Sequence, residues 1–401
     1  MKVCFVTANF PPEACGGTEQ VVAALLRELR ARGVELSVVS GSDEPHDGVD
    51  VTHEQHEEVP VARLRRKPYE HDRHGFVRPR LLALLREQLV AAAPDVVHVH
   101  AFSALGLGVG ALCRELSLPM VCTFHDLWTT CARFFRVPAG GVTCPEGPDS
   151  APCVTCVQSS LSAERGFVEG ALRERERLVR EELSSAALCT APSRTAAQWV
   201  QQRVPYGGDV EVVPHGLLRQ VPAAHRATPP EPTRPLRVGT FGGLAEEKGV
   251  VELLEAVCAL PCDLHLAGPF HDEAFADRVR GLARGQCTFV HERGRYGPED
   301  RHPARDLDLA VFPSKCAETY GLVVDEALAH GVPVVCSDAG ALAERAASPG
   351  VVVTPITRLA HVLEELVGSP DRLQALREAI PTELPTVAAS ADRHLDLYRS
   401  L

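Results

Sequence analysis

Residues Lys2–Ser40 read KVCFVTANFPPEACGGTEQVVAALLRELRARGVELSVVS, and the spacing of their apolar side chains changes twice. Lys2 to Ala8 is a short apolar run that predicts a strand. Val21, Val22, Leu25, Leu26 and Leu29 then recur at helical spacing as far as Gly33, a helix-ending residue, and Val34 to Ser40 is a second apolar run. Strand, helix and strand in succession make a βαβ unit, the building block of a parallel sheet covered on both faces.

Outward from this unit the rhythm continues. Strands are predicted at Asp95–His100, Met120–Phe124, Ala187–Ala191 and Val210–Val213, and helices at Pro79–Ala92, Leu105–Leu116, Ser162–Ser184 and Arg194–Arg203. The pattern stops between Gly216 and Pro235, where Pro222, Pro229, Pro230, Pro232 and Pro235 mark a linker. A second βα series follows, with strands at Leu236–Phe241, Asp263–Ala267, Cys287–His291, Leu309–Pro313, Val332–Ser337 and Gly350–Val353. Strands apolar nearly throughout suit sheets buried on both faces. The expected fold class is therefore α/β, two Rossmann-like doubly wound domains facing a central cleft. Its parts are an N-terminal domain over 1–217, a linker over 218–235, a C-terminal domain over 236–380, and a last helix within 381–401 packed back on the first domain. In such folds ligands sit at the carboxyl ends of the strands, so function belongs in the βα loops.

Composition narrows the function. At roughly 150 residues per domain, 401 residues make two to three domains. With 45% hydrophobic and 23% charged residues the chain is neither disordered nor fibrous. Forty-one Lys+Arg against 53 Asp+Glu leave a net charge of −12, which offers nothing to a nucleic-acid backbone. The N-terminal apolar run meets Pro11 and Pro12 too soon for a signal sequence, and no stretch approaches the roughly 18 apolar residues of a membrane span. A cytoplasmic location is expected. The 14 cysteines should then be thiols or metal ligands.

Three loops carry candidate chemistry. Gly16 and Gly17 stand between the first strand and its helix, where backbone amides can approach an anion or a sugar; a plain tight turn is the other reading. Gly242 and Gly243 occupy the same place in the second series, followed by Lys248, one of only four lysines, as a point charge for phosphate or a solvated surface lysine. In Pro313–Leu328, Glu318 lies in a loop and Glu326 in the helix after it. The amides of Tyr320, Gly321, Leu322 and Val323, after Thr319, would point into the space above that helix, and Thr319 is counted with them as donor-binding. Amides for a diphosphate and two carboxylates for sugar and ribose hydroxyls would suit a sugar nucleotide. Two surface glutamates near a helix start is the alternative. The Asp306-Leu307-Asp308 triplet runs directly into an apolar strand and is read as a turn rather than a metal-binding pair.

Taken together, Glu318-x7-Glu326, Pro-Pro-x3-Gly-Gly-Thr-Glu from Pro11 to Glu19, Gly242-Gly-Leu-Ala-x-x-Lys248-Gly and Phe124-His125-Asp126 resemble the retaining GT-B glycosyltransferases of family 4, over nearly the whole chain and in order. The resemblance implies sugar transfer from a nucleotide-diphosphate donor, UDP or GDP first, with retention at the anomeric carbon and no catalytic metal. It implies that Glu318 binds donor-sugar hydroxyls, Glu326 the ribose, Lys248 and the amides after Thr319 the diphosphate, and Gly16 and Gly17 a donor phosphate. It also implies that His125 hydrogen-bonds the donor sugar beside the anomeric centre; a satisfied structural histidine is the other reading. Gly243 departs from the pattern, since many members carry an arginine there, and Lys248 with helix dipoles, or Arg293 or Arg295, would have to serve instead.

After His125-Asp126-Leu127-Trp128 come Cys131, Cys144, Cys153 and Cys156, whose short spacing could close a structural zinc site; free thiols are the alternative. A branch of the family is similar in having four cysteines there. Two other functions stay in view: a nucleotide-sugar epimerase on the same fold, and a non-catalytic sugar- or protein-binding module built around a zinc loop. The acceptor has no sequence code.

Overall fold

The alternation of short β-branched runs with amphipathic segments folds, in a computed structural model, into two separate parallel sheets. The structure describes the chain except residues 46, 103–104, 135, 138–143, 145–149, 204–207, 223, 225–226, 228–233, 287–289 and 298–299. Leaving residues 140–144 aside, one unit is made of Met1–Leu218 and Thr386–Leu401, the other of Arg219–Pro385.

In order, the first unit runs β1 (Lys2–Thr7), α1 (Gly17–Ala31), β2 (Glu35–Ser42), β3 (Val51–His56), β4 (Val59–Arg65), α2 (Pro79–Ala92), β5 (Val96–Val99), α3 (Val109–Glu115), β6 (Met120–Thr123), α4 (Ser150–Leu161), α5 (Arg165–Ser184), β7 (Leu188–Ala191), α6 (Arg194–Arg203) and β8 (Val210–Val212). Its sheet has the order β3-β4-β2-β1-β5-β6-β7-β8, parallel except where β3 meets β4. The second unit runs β9 (Leu236–Phe241), α7 (Val250–Val257), β10 (Cys262–Ala267), α8 (Glu273–Gln286), β11 (Val290–Arg293), β12 (Leu309–Phe312), α9 (Leu322–Ala329), β13 (Val334–Cys336), β14 (Val351–Val353), α10 (Leu359–Val367) and α11 (Pro370–Ala379). Its order, β11-β10-β9-β12-β13-β14, is parallel throughout. The last helix, α12 (Val387–Arg399), belongs to the first unit.

Each sheet is buried on both sides because successive side chains point to opposite faces and both faces are apolar. In β1, Cys4 and Val6 join a core with Leu81, Leu85 and Leu89 of α2, while Val3 and Phe5 join one with Val22, Leu26 and Leu29 of α1. Ala391, Leu395 and Tyr398 of α12 close that second core. Each large apolar side chain buried there contributes on the order of 1.5–3 kcal/mol.

Four elements differ from the sequence expectation. The β3–β4 hairpin was not expected: its turn uses Glu57 and Glu58 at φ 48° and 65°, positions where Asn-Gly is the usual signal. Arg27 of α1 donates to the Glu57 carboxylate at 3.1 Å and Arg30 to the Glu57 carbonyl at 2.5 Å, holding that turn from outside. The expected helix at Ser162–Ser184 starts at Arg165, and α4 ends just before Ser162, whose φ of 52° breaks the two apart. The expected helix from Leu105 starts only at Val109, because Gly106 and Gly108 both have positive φ. Of the expected strand at Cys287–His291 the first three residues lie outside the described ones, and the described part, β11, runs on past His291 to Arg293.

Candidate functional site

In the second unit the loops after β9 and β12 are stitched together by backbone. Lys315 and Cys316 donate their amides to the Glu247 carbonyl at 2.8 and 3.1 Å. Gly249 follows with φ 74°, so close to β12 that a Cβ would lie 1.9 Å from the Pro313 carbonyl oxygen; only glycine fits. This fastening presents Lys248, at the end of the 3-10 turn Glu246–Lys248, to Glu318: Nζ donates to Oε1 at 2.6 Å. Ser314 Oγ donates to the same oxygen at 3.1 Å. Burial works against the ammonium charge, yet the Glu318 carboxylate outweighs it and holds Lys248 above the ordinary lysine range.

The Glu318 backbone is fixed as well. Its amide donates to the Ala339 carbonyl at 3.4 Å and its carbonyl accepts from Ala341 at 2.8 Å. Thr319 and Tyr320 then lead to Gly321, which caps α9 in a left-handed conformation with φ 83° and no side-chain cap. Gly321, having no side chain, supplies no cap of its own to the helix start at Leu322. Tyr320 is held by Arg345, whose guanidinium carbon lies 4.7 Å from the ring centroid and which pairs with buried Asp325 at 2.8 Å. Glu326, further along α9, has a carboxylate oxygen 3.8 Å from His302 Nε2. Burial, with the Glu326 charge adding to it, pushes the Tyr296 hydroxyl above its usual range.

Gly242, at φ 107°, and Gly268 touch: a Cβ on Gly268 would lie 1.8 Å from the Gly242 carbonyl oxygen. At Gly243 a Cβ would lie 2.6 Å from His271 Nε2, so an imidazole already fills the space where a side chain would begin. Arg293 is engaged elsewhere, donating to the Arg301 carbonyl at 2.6 Å and lying 3.7 Å from Asp306. Asp308 is buried and paired with Arg234 at 2.5 Å, so the Asp306–Asp308 stretch is the structural turn that was expected.

In the first unit Gly16 is the N-cap of α1 and makes no side-chain cap bond. The loop before it is clamped from below: buried Arg63 donates to the Phe10 and Pro11 carbonyls at 3.1 and 2.7 Å, and Arg66 to the Ala8 carbonyl at 2.7 Å. His125 follows β6 and is only 8% exposed. Its Nε2 meets His100 Nδ1 at 2.9 Å and its Nδ1 meets His215 Nε2 at 3.3 Å. Behind them His98 joins Tyr398 at 2.6 Å and Thr123 at 2.7 Å. Burial pushes His125 down to about 3 and His98, His100 and His215 well below the ordinary histidine range, so this row is neutral. Both ring nitrogens of His125 thus have protein partners.

The structure therefore brings Lys248, Glu318 and the residues leading into α9 into one cluster, with Ser314 as a member that sequence reading missed. Nothing in a serine flanked by Pro313 and Lys315 announces it. His100 and His215 were also missed, although the His98-Val99-His100 alternation at a strand end was a visible signal. Among the described residues, Cys131, Cys144, Cys153 and Cys156 do not gather into a metal-ligating set, and much of the segment between them lies outside the description. Arg133 Nη1 lies 3.3 Å from Cys156 Sγ. No helix among the described residues is long and apolar enough to cross a membrane.

A profile of Glycosyltransferase Family 4 matches residues 15–217, and one of Glycosyl transferases group 1 matches residues 235–369. The chain is 29% identical to D-inositol 3-phosphate glycosyltransferase 1 of Catenulispora acidiphila, across 96% of this chain and 91% of the relative. It is also 29% identical to the GDP-mannose-dependent alpha-mannosyltransferase of Mycolicibacterium smegmatis, across 85% of this chain and 80% of the relative. Among solved structures it is similar to sucrose-phosphate synthase from Thermosynechococcus elongatus, with a TM-score of 0.71 at 18% identity over 100% of this chain and 98% of that one. Anabaena HepE in complex with UDP and glucose gives a TM-score of 0.70 at 17% identity, over 100% of both chains.

Proposed function

The chain belongs to glycosyltransferase family 4 and has the GT-B fold of two Rossmann-like domains, and from that premise we propose that it moves a sugar from a nucleotide-diphosphate donor to an acceptor hydroxyl with retention at the anomeric carbon. The observation that carries this reading is the Lys248–Glu318 pair beside the start of α9. As the glycosidic bond breaks, negative charge grows on the departing diphosphate. A lysine and helix-start amides fixed before the reaction stabilise that charge at little reorganisation cost. Glu318 accepts hydrogen bonds from donor-sugar hydroxyls, and Glu326 accepts them from the ribose.

His125 is neutral and cannot serve as a cation; it positions the sugar by hydrogen bonding. Its 3.3 Å contact with His215 is longer than the 2.9 Å contact with His100 and is the one a sugar hydroxyl would replace. The acceptor attacks on the face from which the diphosphate leaves, and a diphosphate oxygen takes the acceptor proton. Catalysis then rests on positioning and charge stabilisation rather than on a protein nucleophile or a metal. UDP- and GDP-sugars head the donor panel, since one relative named above is GDP-mannose-dependent and one structural neighbour holds UDP.

The test begins with thermal stabilisation across UDP-, GDP-, ADP- and TDP-sugars; a donor at 100 times its Kd adds about 2.7 kcal/mol. Acceptors are then screened with the stabilising donor, and the anomeric configuration of the product is read by NMR. Donor consumption without acceptor would turn the reading to an epimerase, and binding without turnover to a sugar-binding module. An inverted product would overturn the retaining mechanism. A structural zinc on Cys131, Cys144, Cys153 and Cys156 is proposed on sequence spacing alone and enters no step. Protein purified without chelator should carry about one zinc per chain, and elemental analysis showing none removes it.

A further inference from the structure

The edge of the second sheet carries a group of side chains that sugar transfer does not use. His265 of β10 and His291 of β11 are direct cross-strand partners in the parallel register. Asp263 lies two residues before His265 and so projects from the same face. One ligand atom from each of the three lies within 4.8 Å of the others. The two imidazoles stack at 4.6 Å between centroids, and Asp263 Oδ2 is 4.0 Å from His291 Nε2. The Nε2 of His265 is buried and has no hydrogen-bond partner among the described residues. A buried nitrogen without a partner is a cost that native structures seldom carry without a reason.

The surroundings make room for an occupant. His265 and His291 line a small pocket of about 60 Å³ together with Thr240, Arg293 and Asp306, larger than the roughly 10–15 Å³ one water needs. Gly239, the β9 partner of His265, has no side chain to fill it; a Cβ there would lie 2.8 Å from that of His265. Two cations lie nearby, each beside a carboxylate: Arg237, the β9 partner of Asp263, has its Nη2 3.5 Å from Asp308, and Arg293 of the pocket lining has its Nη1 3.7 Å from Asp306.

We propose that Asp263, His265 and His291 bind a first-row divalent transition-metal ion at the edge of this sheet. Two imidazoles and one carboxylate are the donor set of zinc, nickel, cobalt or iron with positions left open for water, and are too rich in nitrogen for magnesium or calcium. A bound ion satisfies the unpartnered Nε2 and ties β11, the outermost strand, to β10. This inference is independent of the sugar-transfer reading.

Cobalt(II) is the probe. Titrated into the intact protein, it should bind one ion per chain at this site with a d–d spectrum lacking a thiolate-to-cobalt charge-transfer band, and it should raise the melting temperature. His291 has a side chain 56% exposed, so His291→Ala should fold normally. That change should weaken binding by more than about tenfold, the loss that removal of even an outer-shell partner can bring, and should abolish the thermal shift; His265→Ala should do the same. Magnesium should produce no shift. Cobalt bound only through thiolates, binding unchanged in His291→Ala, or no binding by wild type at millimolar cobalt each overturns the proposal.

Discussion

Lys248 and Glu318 satisfy each other at 2.6 Å, so a diphosphate approaching the lysine competes with a carboxylate for it. Glu318→Gln keeps the size and removes that competitor: the free nucleoside diphosphate should bind as well as to wild type or better, while kcat/KM for transfer falls. Lys248→Ala leaves the carboxylate facing the phosphates, so nucleotide affinity should drop and kcat/KM should fall by roughly 2–4 kcal/mol of transition-state stabilisation. Because the two groups touch, the double variant should lose less than the sum of the single losses. Additive effects in a double-mutant cycle would show that the pair does not act as a unit. Glu326→Ala should act on donor KM, since a ribose contact is equally strong in ground and transition states. His125→Ala should lower kcat and leave nucleotide affinity nearly intact; unchanged kcat would reduce His125 to a packing residue. Glu318 and Lys248 were legible in the sequence because glycines and helix starts frame them. Their mutual contact was not, because it depends on Gly249 lying against Pro313, a meeting of two loops far apart in the chain.

At the scale of elements, α2 ends in Ala93, held left-handed at φ 44° and ψ 59° before Pro94. An L-residue pays roughly 1–2 kcal/mol for that conformation, and glycine avoids most of it. Ala93 is exposed, so Ala93→Gly should raise stability by about 1 kcal/mol with activity unchanged, as measured by urea denaturation; a loss of stability would mean that the alanine methyl makes a contact worth more than the strain. The same geometry explains what the sequence conveyed. The end of α2 was readable because Pro94 forbids continuation, and β1, α1, β9 and β12 were readable from apolar period and length. The β3–β4 turn was not, because Glu57 and Glu58 carry no local preference for positive φ and are held by Arg27 and Arg30 of another element. Where local chemistry and tertiary contact agreed, the reading held. Where a distant arginine imposed the conformation, no window of sequence contained the cause.

Across the whole molecule, neutral buried histidines gather in the first unit: His98, His100, His125, His215 and His394. Burial lowers all five, His125 to about 3 and His394 to about 4, against 6.5 in an unfolded chain. A group lowered in the folded state contributes its stability above the unfolded value and loses it as pH falls toward the folded one. Each of the five therefore costs about 1.4 kcal/mol per pH unit below about 6.5. Glu182, raised to about 7 by burial, works in the opposite sense between about 4.5 and 7, and Asp126, also raised by burial, works in that sense above its usual carboxylate range, two groups against five. In the second unit burial lowers His265 to about 4. Calorimetry at pH 7.5, 6.5 and 5.5 should show the first unit melting earlier with each step; a pH-independent transition would mean that the histidines take up protons without unfolding. Connectivity has a consequence at the same scale. The chain leaves the first unit after Leu218 and rejoins it at Thr386, where Val387 donates to the Leu217 carbonyl at 3.1 Å and a Cβ on Gly216 would lie 2.4 Å from the Thr386 carbonyl carbon. Residues 219–385 are thus a cassette with both ends at one address. A counterpart from a relative could be spliced in there without rethreading the host, and under the proposed function such a graft would carry Lys248, Glu318 and Glu326 with it as one block.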